Sequence, residues 1–174
     1  MLRSLVGSEM CIRDRLNDST LIYATYADAF KSGGFNPRYL AATTDLRAIA
    51  FDPESVDSFE LGYKYSESSY RINLAAFYND YSDIQISADS PNSNGATVTQ
   101  NAAAATIFGF EAEFAYIPSQ HWLIEGGFGY LNAEYDRLGS GVDASIITLN
   151  SELPRIPEIT SNLGVAYYLS LIHI

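Results

Sequence analysis

From Glu54 onward the chain alternates apolar and polar side chains with a period of two, over stretches longer than strands of soluble proteins usually run. In Ser58-Phe59-Glu60-Leu61-Gly62-Tyr63-Lys64-Tyr65, Phe59, Leu61, Tyr63 and Tyr65 fall on one side and Ser58, Glu60, Gly62 and Lys64 on the other. After the turn Ser66-Glu67-Ser68-Ser69 the pattern resumes, with Tyr70, Ile72, Leu74, Ala76 and Tyr78 opposing Arg71, Asn73, Ala75, Phe77 and Asn79. Phe77 breaks the rule. A second pair follows: Phe108, Phe110, Ala112, Phe114 and Tyr116, then the turn Ile117-Pro118-Ser119-Gln120, then Trp122, Ile124, Gly126, Phe128 and Tyr130. Weaker alternation marks Thr20 to Phe30 and Thr160 to Tyr168. These segments predict an all-β antiparallel meander of about six long strands.

The connections alternate in length as well. Phe30 to Glu54, Ala88 to Thr97 and Asp136 to Ile159 are long, whereas Ser66 to Ser69 and Ile117 to Gln120 are short. Long loops on one side and short turns on the other are the pattern of outer-membrane barrels. About eleven residues at ~3.3 Å rise and ~40° tilt project to roughly 28 Å, which matches an apolar band ~25 Å tall. Tyr63, Tyr65, Tyr70, Tyr116, Trp122 and Tyr167 all belong near the short-turn end. Their rings are apolar and their tips polar, so they suit the headgroup level of a bilayer. Two alternatives remain at this point: a soluble β-sandwich binding module, whose apolar face would pack on a second sheet, and a porin-type barrel. Gly62, Gly109, Gly126, Gly127 and Gly129 interrupt the strands, as bulges or as close-packing positions.

Composition narrows the function classes. Ten Lys plus Arg against twenty-one Asp plus Glu, a net charge of -11, lacks the electropositive surface that phosphate backbones require, so no nucleic-acid partner is expected. One Cys and two His exclude a disulfide framework, a Cys-rich zinc site and a histidine cluster. No run approaches the ~18 apolar residues of a membrane helix. No catalytic constellation emerges, and no enzyme activity, cofactor or metal site is expected: His121 falls at a turn boundary, and Glu111 and Glu113 read as a wet wall rather than a carboxylate pair. Asp45, Asp52, Glu54 and Asp57 lack the spacing of a calcium loop.

The two ends read as foreign. Met10-Cys11-Ile12-Arg13-Asp14-Arg15 can be encoded by ATG TGT ATA AGA GAC AGN, whose reverse complement, read in frame, gives Leu169-Ser170-Leu171-Ile172-His173. That word is identified as the transposon end used in sequencing-library preparation, and the adapter before it also yields Leu5-Val6-Gly7-Ser8-Glu9. The expected organisation is therefore adapter-derived residues 1–15, a partial barrel over residues 16–168, and adapter-derived residues 169–174. On this reading Met10, Cys11 and His173 carry no functional information, and the natural sequence continues beyond both ends.

Several blocks, in order, resemble the barrel of TonB-dependent outer-membrane receptors. They are Ala27-Asp28-Ala29-Phe30-Lys31-Ser32-Gly33-Gly34-Phe35-Asn36-Pro37, Phe51-Asp52-Pro53-Glu54 through Lys64, Phe77-Tyr78-Asn79-Asp80-Tyr81-Ser82-Asp83-Ile84-Gln85, Asn101 to Glu113, and Leu153-Pro154-Arg155-Ile156-Pro157. Ala29 and Ala103 depart from the family's usual Gly. The resemblance implies a piece of a 22-stranded transmembrane barrel in the bacterial outer membrane. It also implies a plug domain, and coupling to the TonB complex through an N-terminal region that this chain lacks. The function implied is uptake of a scarce ligand, with ferric siderophore the favoured class and vitamin or oligosaccharide ligands as alternatives. Within that frame Lys31, Phe35, Arg38, Tyr39 and Arg47 give the first long loop a basic and aromatic character suited to an anionic metal chelate.

Overall fold

The computed structural model describes residues 6–36, 50–89, 97–139, 148–150, 153 and 156–169. Its regular elements are strands: β1 (Val6–Asn17), β2 (Thr20–Lys31), β3 (Gly34–Phe35), β4 (Ala50–Phe51), β5 (Glu54–Ser66), β6 (Tyr70–Asp89), β7 (Thr97–Ser119), β8 (Trp122–Leu138) and β9 (Ile159–Tyr167). Seven of them form one sheet in the order β1-β2-β5-β6-β7-β8-β9, while β3 and β4 make a small separate ribbon. Every pairing is antiparallel.

Register follows the alternation. Residues directly opposite in a ladder project to the same side, so a slip by one residue would mix the two faces along a whole strand. Phe59 lies opposite Tyr26 and Tyr78, Tyr63 opposite Ile22 and Leu74, and Phe128 opposite Ala112 and Ser161. The apolar side chains of the six expected strands thereby share one face.

That face is uncovered. Phe59, Leu61 and Leu163 are 51%, 59% and 73% exposed, and among the described residues the buried apolar side chains are only Ala103 and Ala105. The sheet has one layer, so the sandwich alternative, which needs a second sheet against these rings, fails on the described residues. A soluble protein rarely leaves a contiguous apolar patch larger than a few hundred Å² in water. No helix of the described residues is long and apolar enough to cross a membrane.

The exposed band has two rims. At the short-turn end Tyr70 and Tyr116 stack with ring centroids 4.8 Å apart, and Trp122 and Tyr167 meet at 4.8 Å. At the long-loop end a second aromatic row, Tyr26–Phe59–Tyr78–Phe108, runs across four strands in register. One pleat beyond it the side chains turn acidic, with Asp28, Asp57 and Asp80 directly opposite one another. From Tyr70 to Asp80 is about 33 Å along the strand, or ~25 Å vertically at ~40° tilt, the height of a barrel's lipid band.

Two features differ from expectation. First, β6 has 20 residues, β7 23 and β8 17, well past the eleven or so that a bilayer needs. The excess lies beyond the acidic row, where the ladder carries register shifts between Tyr81 and Ile84 and between Ile84 and Gln85. Asp83, inside that bulge, has φ 54, a left-handed conformation that Asp tolerates better than most residues. Second, residues 6–15, read as foreign, form most of β1, a seventh strand paired from Val6↔Phe30 to Asn17↔Thr20. An unpaired strand edge accepts any segment of compatible alternation, and Met10 and Ile12 fall on the side of Tyr26 and Ala24.

Candidate functional site

The face opposite the apolar band is polar and close-packed by cross-strand pairs. Tyr23 Oη donates to Glu60 Oε1 at 2.6 Å, and Lys64 Nζ stands 5.4 Å from the centre of the Tyr23 ring. The ring lies flat across Gly62, where any Cβ would collide with it. Phe77, the exception to the alternation, uses the same device: its ring covers Gly109, and a Cβ there would sit 2.6 Å from Phe77 Cζ. Gly62, Gly109 and Gly126 are thus close-packing positions where a ring from the neighbouring strand needs the space, and at Gly127 and Gly129 a Cβ would instead meet Asn162 and Thr160. Ser58 Oγ bonds Asn79 Oδ1 at 2.6 Å, and Asn73 Nδ2 donates to Glu113 Oε2 at 3.2 Å. Toward the short turns a shallow cavity of about 210 Å³ is lined by Arg71, Asn73, Glu113, Glu125, Gly127 and Asn162.

The candidate carboxylates do not converge on chemistry. Glu113 is engaged by Asn73, and Glu54 and Asp57 project to opposite faces, because residues three apart on a strand cannot share one. His121 lies in the β7–β8 turn, exposed, with its ring 6.0 Å from that of Tyr167. The aromatics expected at the interface, Tyr63, Tyr65, Tyr70, Tyr116, Trp122 and Tyr167, are all on the apolar face, Tyr63 one pleat further in than Tyr65.

At the long-loop end Lys31 Nζ pairs with Glu54 Oε2 at 3.2 Å, across the last rung of the β2–β5 ladder. Its charge is therefore already matched within the sheet. Phe35, on β3, is 60% exposed. Arg38, Tyr39 and Arg47 lie outside the described residues. What the sequence reading missed here is a set of carboxamides. Gln85 Nε2 donates to the backbone carbonyls of Ser32 and Asp52 at 3.0 and 3.1 Å and, at 3.4 Å, to that of Lys31, and the Gln85 amide nitrogen donates to Glu54 Oε2 at 3.0 Å. Asn101 Nδ2 donates to Asp52 O at 2.9 Å and Asp83 O at 2.8 Å, while Asp52 N donates back to Asn101 Oδ1 at 2.6 Å. Asn36 pairs with both backbone groups of Thr99, at 2.7 and 2.8 Å. Asn36, Gln85 and Asn101 stand inside blocks that carried the resemblance, but nothing in their local sequence announces partners 33 to 63 residues away.

The family model described as "TonB dependent receptor-like, beta-barrel" matches residues 14–171. Among curated proteins, the chain is 26% identical over 156 residues to "Probable TonB-dependent siderophore receptor PiuA" of Acinetobacter baumannii, covering 84% of this chain and 20% of that protein. It is 28% identical over 113 residues to the "Pesticin receptor" of Yersinia enterocolitica, covering 64% of this chain and 16% of the relative. The chain thus spans about a fifth of the length of these relatives. Among solved structures, the ferric yersiniabactin uptake receptor FyuA from Yersinia pestis superposes with a TM-score of 0.66 at 22% identity, over 91% of this chain and 22% of that one. The siderophore receptor PiuA from Acinetobacter baumannii superposes with a TM-score of 0.68 at 23% identity, over 92% and 23%. At these identities the structural likeness establishes the fold.

Proposed function

The chain belongs to the TonB-dependent receptor β-barrel family of the bacterial outer membrane, and from that premise we propose that it is part of the barrel wall of an active importer for ferric siderophores. The observation that carries this reading is the single-layered sheet itself. Its apolar face is open, is bounded by an aromatic row at each end, and has the height of a lipid band. The polar face then lines the interior, and the long connections rise on the side where ligand arrives. Relatives named for siderophore or ferric yersiniabactin uptake support iron chelates over vitamins or oligosaccharides as cargo.

In this reading the rings of Tyr65, Tyr70, Tyr116, Trp122 and Tyr167, with Tyr63 just inside them, form the headgroup girdle at the short-turn end. Phe35 on its ribbon, with Arg38, Tyr39 and Arg47 in the same connection, supplies ring and guanidinium contacts to an anionic chelate. Lys31 serves there mainly as the partner of Glu54. Coupling to the TonB complex belongs to a region of the receptor outside this chain.

Uptake by the host bacterium tests the proposal. Deleting the gene that contains this segment should abolish accumulation of one radiolabelled ferric siderophore, and disrupting TonB should do the same. Uptake that survives loss of TonB would favour the porin-type alternative, and unchanged uptake in the deletion strain would remove iron transport altogether. For residues 1–15 and 169–174 the adapter origin is supported by Met10–Arg15 and Leu169–His173 being inverted copies of one DNA word, and by the preceding adapter yielding Leu5–Glu9. Resequencing the source genome without transposon-based libraries should return different codons there.

A further inference from the structure

We propose that Gln85 and Asn101 are positioning residues that lock the β2–β5 connection onto the β6–β7 hairpin, so that the two move as one body at the long-loop end. The inference concerns this wall's rigidity and stands whether or not the cargo is an iron chelate.

β2, β5, β6 and β7 are neighbours in the sheet, but among the described residues its strand ladder ties the connection between β2 and β5 to nothing beyond Lys31 and Glu54. Side chains extend the tie. Gln85, on β6 just past the Asp83 bulge, places one NH2 group among carbonyl oxygens from both ends of the connection, Ser32 and Asp52, with Lys31 O at longer range. Carbonyl oxygens can only accept, so the amide is oriented by them; its own Oε1 is buried and accepts nothing among the described residues. Asn101, on β7, then grips the backbone of Asp52 through both its donor and its acceptor, the geometry of a strand pair made by a side chain. Asn36 repeats that two-way grip on Thr99 from the ribbon side. Glu54 Oε2 joins the halves, accepting from Lys31 Nζ and from the amide of Gln85.

The bulge is what makes this geometry available. A regular ladder would aim the Gln85 amide at a neighbouring strand's carbonyl, whereas after Asp83 it meets the Glu54 carboxylate instead. Asp83 O also accepts from Asn101, so the bulge itself is braced by the clasp it permits. A ligand reaching this end would meet a prebuilt wall instead of two independent loops.

Paired spin labels in the intact receptor, reconstituted in its membrane, test the idea. With labels at Phe35→Cys and Ser87→Cys the distance distribution should be narrow, and the double variant Gln85→Ala with Asn101→Ala should broaden it about twofold or more. A control pair at Glu67→Cys and Gln120→Cys, on the short turns, should stay unchanged. A broad distribution in the parent, no broadening in the variant, or equal broadening of the control pair would overturn the proposal. Should the double variant fail to reach the membrane, exchange of the Asp52 amide in the parent decides: its bond to Asn101 predicts exchange slowed by about tenfold or more relative to an open loop, and unprotected exchange rejects the clasp.

Discussion

At the scale of single residues, ring-on-glycine packing gives a sharp expectation. Tyr23 covers Gly62 and holds its hydroxyl on Glu60 only because no Cβ intervenes. Gly62→Val should displace the ring and cost ~1–3 kcal/mol, as overpacking does elsewhere, read by urea unfolding of the intact receptor in detergent micelles. Tyr23→Phe, which leaves the ring in place, should cost less. Gln85 offers a second test with an unusual ordering. Gln85→Leu removes donors, but Gln85→Glu puts a carboxylate among carbonyl oxygens and beside Glu54, so the near-isosteric change should destabilise more than the apolar one. Equal stability of the two variants would mean that the amide's donors are not what holds the connection. Close packing at Gly62 and Gly109 was one of two readings the sequence offered, but the partners were not legible: Phe77 registered there only as an irregularity, and its purpose appears once Gly109 is seen beneath its ring.

At the scale of the strand, the alternation told almost everything about the membrane-height portion and little about what rises above it. Within the band, period two, turn chemistry and strand spacing agree, so Phe59 to Tyr65 and Tyr70 to Tyr78 were readable with the correct face outward. Above it, β6 and β7 continue through Ser82, Ser87, Thr99 and Asn101, where the apolar and polar alternation lapses. The bulge at Asp83 and the carboxamide contacts arise from pairings far apart in the chain, which no local pattern encodes. β1 is the converse case: its alternation is sufficient to satisfy an open edge, whatever its origin. Depth along a strand has its own energetic signature. Leu61→Arg, near mid-height on the apolar face, should cost ~2–4 kcal/mol, and Tyr65→Arg, at the rim, only ~0–1 kcal/mol, by unfolding in lipid vesicles. A flat profile between the two positions would mean that this face does not meet acyl chains.

At the scale of the whole molecule, the seven strands of the sheet leave β1 and β9, among the described residues, each with an unpaired edge and one broad face of rings in contact with solvent. In hydrocarbon those backbone groups find no partner, and in water the rings find no cover. The 174-residue chain expressed alone should therefore aggregate unless detergent is supplied, which light scattering and size-exclusion chromatography would report. A soluble monomer with a cooperative unfolding transition would contradict the barrel-wall assignment. The row Asp28–Asp57–Asp80 carries a consequence for the assembled wall. Sinking the sheet by one further pleat would drag three ionised groups together into the oil, while raising it would strip the Tyr26–Phe59 pair of its lipid shelter. In the proposed wall the carboxylates would thus act as a waterline, fixing how deep it floats in the bilayer.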